Sequence, residues 1–355
     1  MSHDSTDRFS MLELDLDPTP SKPAAKPTAS TYTKGPEYMH AADDKGNRRD
    51  AGYNNRVGAR TIPELVASVP ELAATVAKER LYLADGTLVP DINAVVRTYP
   101  DGTRQTFARG VGDKYEPVQD ARMLDIMSIL LDKGLVTNMN GGAYKARAWV
   151  YGERTGAKIE VAPGDVLESR ALVAHSHDGS LPFCVGWPAN AVVCQNTAIL
   201  AVKNKASRLM KLRHTRNVHS LIQQLESVLE ESAAEFLASA DKLRLMARTR
   251  CDETKLKEYT GYVFSKWADN SDEESEENTS GNRVYSQVLE NYHNGTGMDT
   301  IAARRGTVWG AYNAMTEYLT HQRGRGDDLA RFDSNNFGTG SLLMARAYEG
   351  AANLL

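Results

Sequence analysis

Residues 143–180 read AYKARAWVYGERTGAKIEVAPGDVLESRALVAHSHDGS. Short runs rich in β-branched and aromatic residues (143–154, 157–163 and 165–176) alternate with Thr-Gly, Pro-Gly and Asp-Gly pairs, the chemistry of strands joined by tight turns. The pattern predicts an antiparallel meander, which PFCVGWPANAVVCQNT at 182–197 extends. Helical periodicity flanks it on both sides. The expected fold class is α+β: an antiparallel β meander packed against helices, with a long amphipathic helix and a helical C-terminal segment.

Upstream, residues 87–119 carry further β-rich stretches around the turn Pro100-Asp101-Gly102. DARMLDIMSILLDKGL at 120–135 then sets Met123, Leu124, Ile126, Met127, Leu130 and Leu131 at helical spacing, with Asp120 as the N-cap and Gly134 near the stop. Downstream, from about residue 196, the pattern reads as helical. A long amphipathic helix over 218–248 is expected, its stripe formed by Leu221, Leu225, Val228, Leu229, Phe236 and Leu237. In the block RGTVWGAYNAMTEYLTHQR (305–323), Trp309, Tyr312, Met315 and Tyr318 recur every third residue, a buried helical face.

Composition sets the domain plan. The 355 residues are 41% hydrophobic and 25% charged, enough for a sizeable core. Residues 1–56 hold Pro, Ser, Thr and charge without an apolar period, so a disordered arm is expected. Within it, FSMLELDLD at 9–17 alternates apolar with acidic residues, the composition of a short docking peptide that orders on a partner. An α+β core over 57–267, an acidic flexible loop over 268–282 and a mostly helical C-terminal segment over 283–355, packing on the core, complete the plan. No long apolar run or signal sequence is seen, so a cytoplasmic location with no membrane contact is expected. Cys184, Cys194 and Cys251 are odd in number and lack a C-x-x-C spacing, which suits reduced thiols.

Two stretches compete as sites. His175, His177, Asp178, Cys184 and Cys194 resemble a ligand set, and strand alternation would put His175 and His177 on one face. A zinc site, however, needs three or four converging ligands, and Asp178-Gly179 is a common turn pair, so a turn is the preferred reading and neither metal nor cofactor is expected. No phosphate-binding glycine loop, nucleophile elbow or HExxH is present, and no catalytic residue is assigned. The other stretch, 201–220, contains Lys203, Lys205, Arg208, Lys211, Arg213 and Arg216 with His214 and no carboxylate, in a chain of formal net charge -4. Such a stripe suits phosphates. Tyr144 and Trp149 are the aromatic candidates for stacking on bases, with Tyr115, Tyr151 and Trp187 nearby. Glu317 and His321, one helical turn apart, form a further polar pair.

Several blocks, in order, resemble a known family: GVGDKYEPVQD (110–120), HSHDGS (175–180, with His177 and Asp178), AVVCQNT (191–197, with Gln195 and Asn196), LRHTRNV (212–218), 305–323 and NFGTG (336–340). This is the phage and plasmid family called domain of unknown function 932, which includes uncharacterised protein family 0380. Its members usually carry Asn where this chain has His175, a departure that weighs against a metal pair. The family has no settled activity. The phage and plasmid settings that the resemblance implies, with the outline likeness of the meander and its following helix to single-strand annealing proteins, lead to the expectation of an oligomeric single-stranded DNA binder serving strand annealing in recombination or replication, with Phe9 to Asp17 recruiting a replication or recombination partner. Two alternatives stand beside it. One is an interaction or anti-defence module in which the acidic loop mimics DNA, and the other is a metal-dependent hydrolase using His175, His177 and Asp178.

Overall fold

The computed structural model describes residues 59–107, 110–186, 189–191, 197–198, 210–211, 236–268, 279–324 and 328–355. The expected arm at 1–56, the acidic run at 269–278 and most of the basic stripe lie outside the described residues.

The chain enters through α1 (Ile62–Ser68), where Thr61 caps the helix by accepting from the Glu64 N–H. A four-stranded antiparallel sheet follows, made of β1 (Thr75–Tyr82), β2 (Leu88–Thr98), β3 (Arg104–Thr106) and β4 (Val111–Gly112), with β4 pairing β2. The Pro100-Asp101-Gly102 turn joins β2 to β3, and Gly102 takes the positive φ of 84° that the turn demands. Then α2 (Ala121–Asp132) buries Met123, Ile126, Met127 and Leu130, the apolar face read from the sequence.

The meander is present. β5 (Val136–Tyr144), β6 (Arg147–Ala162) and β7 (Asp165–Ser176) pair in sequence, and β8 (Cys184–Gly186) and β9 (Ala189–Ala191) both pair with β7. β10 (Thr197–Ala198) adds to β9, and β11 (Met210–Lys211) adds to β8. These last two strands correct the helical reading from residue 196. The edges of β8 and β9 present unpaired backbone groups, which the chain satisfies by strand addition at these residues.

The sheet is packed on both faces. Ala148, Val150, Ala171 and Val173 meet α1 and α2 through Leu65, Met123 and Met127. On the other face Trp149, Tyr151, Leu172 and Ala174 meet Phe332. The register of β6 on β7 shifts between Glu153 and Lys158, a bulge that bends the hairpin. Its distal arm, with Ala157, Ile159, Val161 and Leu167, enters the helical layer.

That layer comprises α3 (Ala240–Met246), α4 (Glu253–Ala268), α5 (Thr279–Asn294), α6 (Val308–Glu317), α7 (Asp328–Phe337) and α8 (Thr339–Asn353). It begins well before residue 283, because Phe236, Leu243, Leu256 and Val263 share one core with Trp309, Met315 and Leu343. Of the expected long helix, the described part buries Phe236, Ala240, Leu243 and Met246 and leaves Leu237 46% exposed. α6 is buried all round, more than the one face expected from its spacing, and continues into a π turn at Tyr318–Gln322. Gly310 is required there: a Cβ on it would lie 1.8 Å from the Arg304 carbonyl oxygen.

Candidate functional site

Strand alternation sets His175 on the same face as Val173 and Ala171, opposite Ala148 across the β6 register. α2 crosses that face, so its N-terminal end arrives above His175. Asp120 occupies the cap position expected of it, yet its side chain makes no capping bond. Its carboxylate turns instead to the histidines: Oδ1 lies 2.8 Å from His175 Nε2 and 3.0 Å from His177 Nε2. A carboxylate only accepts, so both imidazoles donate through Nε2–H. Oδ2 accepts from Arg97 at 3.2 Å, which ties β2 of the smaller sheet to the cluster.

All four side chains are at most 2% exposed. Aromatic rings wall them in: Phe107 stacks on His177 at 5.3 Å and Phe183 on His175 at 5.6 Å. Burial pushes the Asp120 carboxyl up, but the hydrogen bonds from His175 and His177 outweigh it and hold the group well below the usual carboxylate range. For His175, burial is the largest influence and lowers its basicity; Asp120 opposes this, and the nearby His177 and Arg97 add to it. Two polar atoms, His177 Nδ1 and Arg97 Nε, are buried with no hydrogen-bond partner.

The turn reading of HSHDGS holds. It joins β7 to β8, with Gly179 at φ 73° and Asp178 Oδ1 accepting from the Ser180 N–H at 2.9 Å. The acidic group beside the two histidines is therefore Asp120, 55 residues from His175 in sequence, and Asp178 is turned to its own loop. Asp120, His175 and His177 form a group whose ligand atoms all lie within 4.8 Å of one another.

Other expected site residues are placed separately. Trp149 is 1% exposed and stacked under Phe332 at 4.7 Å, so its ring faces core and offers no surface to a base. Tyr144 is half-buried at the end of β5, beside Lys145. Glu317 is buried, accepting from the Thr296 N–H at 3.0 Å and from its hydroxyl at 3.2 Å, while His321 is half-buried in the π turn. Lys203, Lys205, Arg208, Arg213, His214, Arg216, Gln195 and Asn196 lie outside the described residues. Lys211 is described only as backbone, in β11, which fastens the middle of the basic stripe to the sheet edge.

Sequence reading missed a second buried cluster at the opposite end of β7. Asp165, its first residue, accepts from Arg304 Nε at 2.7 Å and NH2 at 2.6 Å, and from the Trp309 indole N–H at 2.7 Å. Arg304 also donates to the Thr296 carbonyl at 2.8 Å. Only the apolar Trp309 was legible as core; an Arg and an Asp 139 residues apart carry no local signal.

A cleft of about 540 Å³ lies among Cys251, Asp252, Glu253, His293, Asp299 and Arg305. Burial pushes the Cys251 thiol up to about 11, which favours the protonated thiol over the thiolate at neutral pH. Arg305 is already bonded to the Met298 carbonyl at 2.7 Å, and His293 to Glu253 at 3.0 Å.

A family described as Domain of unknown function (DUF932) matches residues 109–347. No curated protein and no solved structure matches the chain. No helix among the described residues is long and apolar enough to cross a membrane.

Proposed function

Because the chain belongs to the DUF932 family, whose description names no activity, its chemistry has to be read from its own residues, and we propose that it binds single-stranded DNA. The observation that carries this is the charge of residues 201–220: six Lys and Arg, no carboxylate, in a chain of net charge -4. A cationic segment of this length neutralises several phosphates and releases their counterions. The backbone pairing of Met210 and Lys211 with β8 supports the reading, since it ties this segment to the large sheet. Strand annealing by an oligomer, in recombination or replication, is the activity this binding would serve.

The burial of Trp149 directs the reading toward backbone contacts and leaves Tyr144 as the aromatic to examine. The test is fluorescence anisotropy of a labelled single-stranded oligonucleotide at several salt concentrations, with wild type and Lys211→Ala/Arg213→Ala/Arg216→Ala. If each of the three cations neutralises one phosphate, the slope of log affinity against log salt becomes shallower by about 2 in the variant. Absence of binding at low salt removes the proposal and turns the search to protein partners.

A further inference from the structure

We propose that Asp120, His175 and His177 form a binding site for one divalent transition-metal ion of the zinc type, acting to hold the fold. The inference is independent of DNA binding and rests on convergence. The three side chains come from a helix start, a strand and the turn after it, and their ligand atoms all lie within 4.8 Å of one another. Two imidazole nitrogens and one carboxylate oxygen are a donor set that suits zinc, and its neighbours nickel and copper. Zinc bonds of about 2.0–2.2 Å in a tetrahedron separate ligand atoms by roughly 3.3 Å. The Nε2 atoms lie 2.8 and 3.0 Å from Asp120 Oδ1, so these two separations need to open by about half an ångström or less to take the ion.

The surroundings fit a structural ion. Arg97 holds the second carboxylate oxygen at 3.2 Å, the outer contact that fixes a ligating carboxylate. Phe107 and Phe183 orient the two imidazole planes. Binding requires each imidazole to shift its proton from Nε2 to Nδ1. His177 Nδ1 is without a partner already, so that shift exchanges one unsatisfied state for another at that ring. Arg97 and Asp120 balance each other in charge without an ion; a hydroxide in the fourth position would offset part of the charge the ion adds. With every ligand at most 2% exposed, a macromolecular substrate has no approach to the ion.

The test uses the full, untagged chain, stripped with a chelator and titrated with Co²⁺ and then Zn²⁺. Wild type is expected to take up one equivalent, to show the intense visible bands of four-coordinate cobalt, and to unfold at a temperature that rises with metal concentration. His177→Gln and His175→Asn are expected to lose the cobalt bands. The second keeps an amide donor toward Asp120, and its unfolding in chelator shows whether that variant is folded. No stoichiometric uptake by wild type overturns the proposal, as does equal uptake by folded variants, which would place the metal on surface histidines.

Discussion

The two ends of β7 carry buried charge in different states of completion. At its first residue, Asp165 meets Arg304 through two short bonds and the Trp309 indole through a third, and Arg304 finds a further carbonyl in Thr296. Near its last, two imidazoles share a single oxygen of Asp120, and His177 Nδ1 and Arg97 Nε have no partner. Both clusters consist of a carboxylate, an arginine and aromatic nitrogen donors. A fully bonded ion pair in the core acts as a clamp, whereas a cluster with polar capacity left over is where a ligand can add bonds.

The largest effect is expected at the complete end. Arg304→Ala strands the Asp165 carboxylate in the core and should cost about 3–5 kcal/mol in denaturant unfolding. The double variant Asp165→Asn/Arg304→Ala, which removes the stranded charge, should recover at least about 1 kcal/mol of that. At the other end, His177→Phe loses one bond to Asp120 but also removes an orphaned nitrogen, and the ring can still lie on Phe107. In chelator its cost should stay within about 1 kcal/mol. A cost equal to that of Arg304→Ala would show the two ends to be alike and dissolve the contrast. Smallest and most local are the turns: Gly164 (φ 80°) precedes Asp165, and Gly179 (φ 73°) follows His177. Alanine at either should cost about 1–2 kcal/mol. A larger loss at Gly164, seen as a lower unfolding midpoint, would show that the turn helps seat the Asp165 clamp.

Much of the fold was legible because it is written in local periodicity. Of the three runs of 143–176, the first two became the single strand β6, with the Thr155-Gly156 pair falling at its register shift, and the third became β7, while Gly164 and Gly179 supply the positive φ angles of the turns on either side of β7. The apolar spacing of 120–135 became α2, and that of 305–323 became α6. The misreadings fall where packing overrides the local pattern. Residues 197–198 and 210–211 form two-residue strands, too short for a period of two to register, and they exist because sheet edges need partners. Leu237 was counted in a stripe that in fact runs through Phe236, Ala240, Leu243 and Met246.

For the candidate site, sequence singled out His175 and His177 by their spacing and supplied the wrong carboxylate. Asp178 is adjacent in the chain and turned to Ser180; Asp120 looked like a helix cap and sits where a cap sits. Sequence alone therefore determined the α+β class, the order of the meander and its helices, and the charge of the 201–220 stripe, since these are properties of neighbouring residues. Tertiary structure alone decided that Asp120 faces two histidines and that Arg304 seals the start of β7. Buried charges are paired by the packing of distant segments, and the cost of leaving such a group unpaired acts only once the fold has removed it from water.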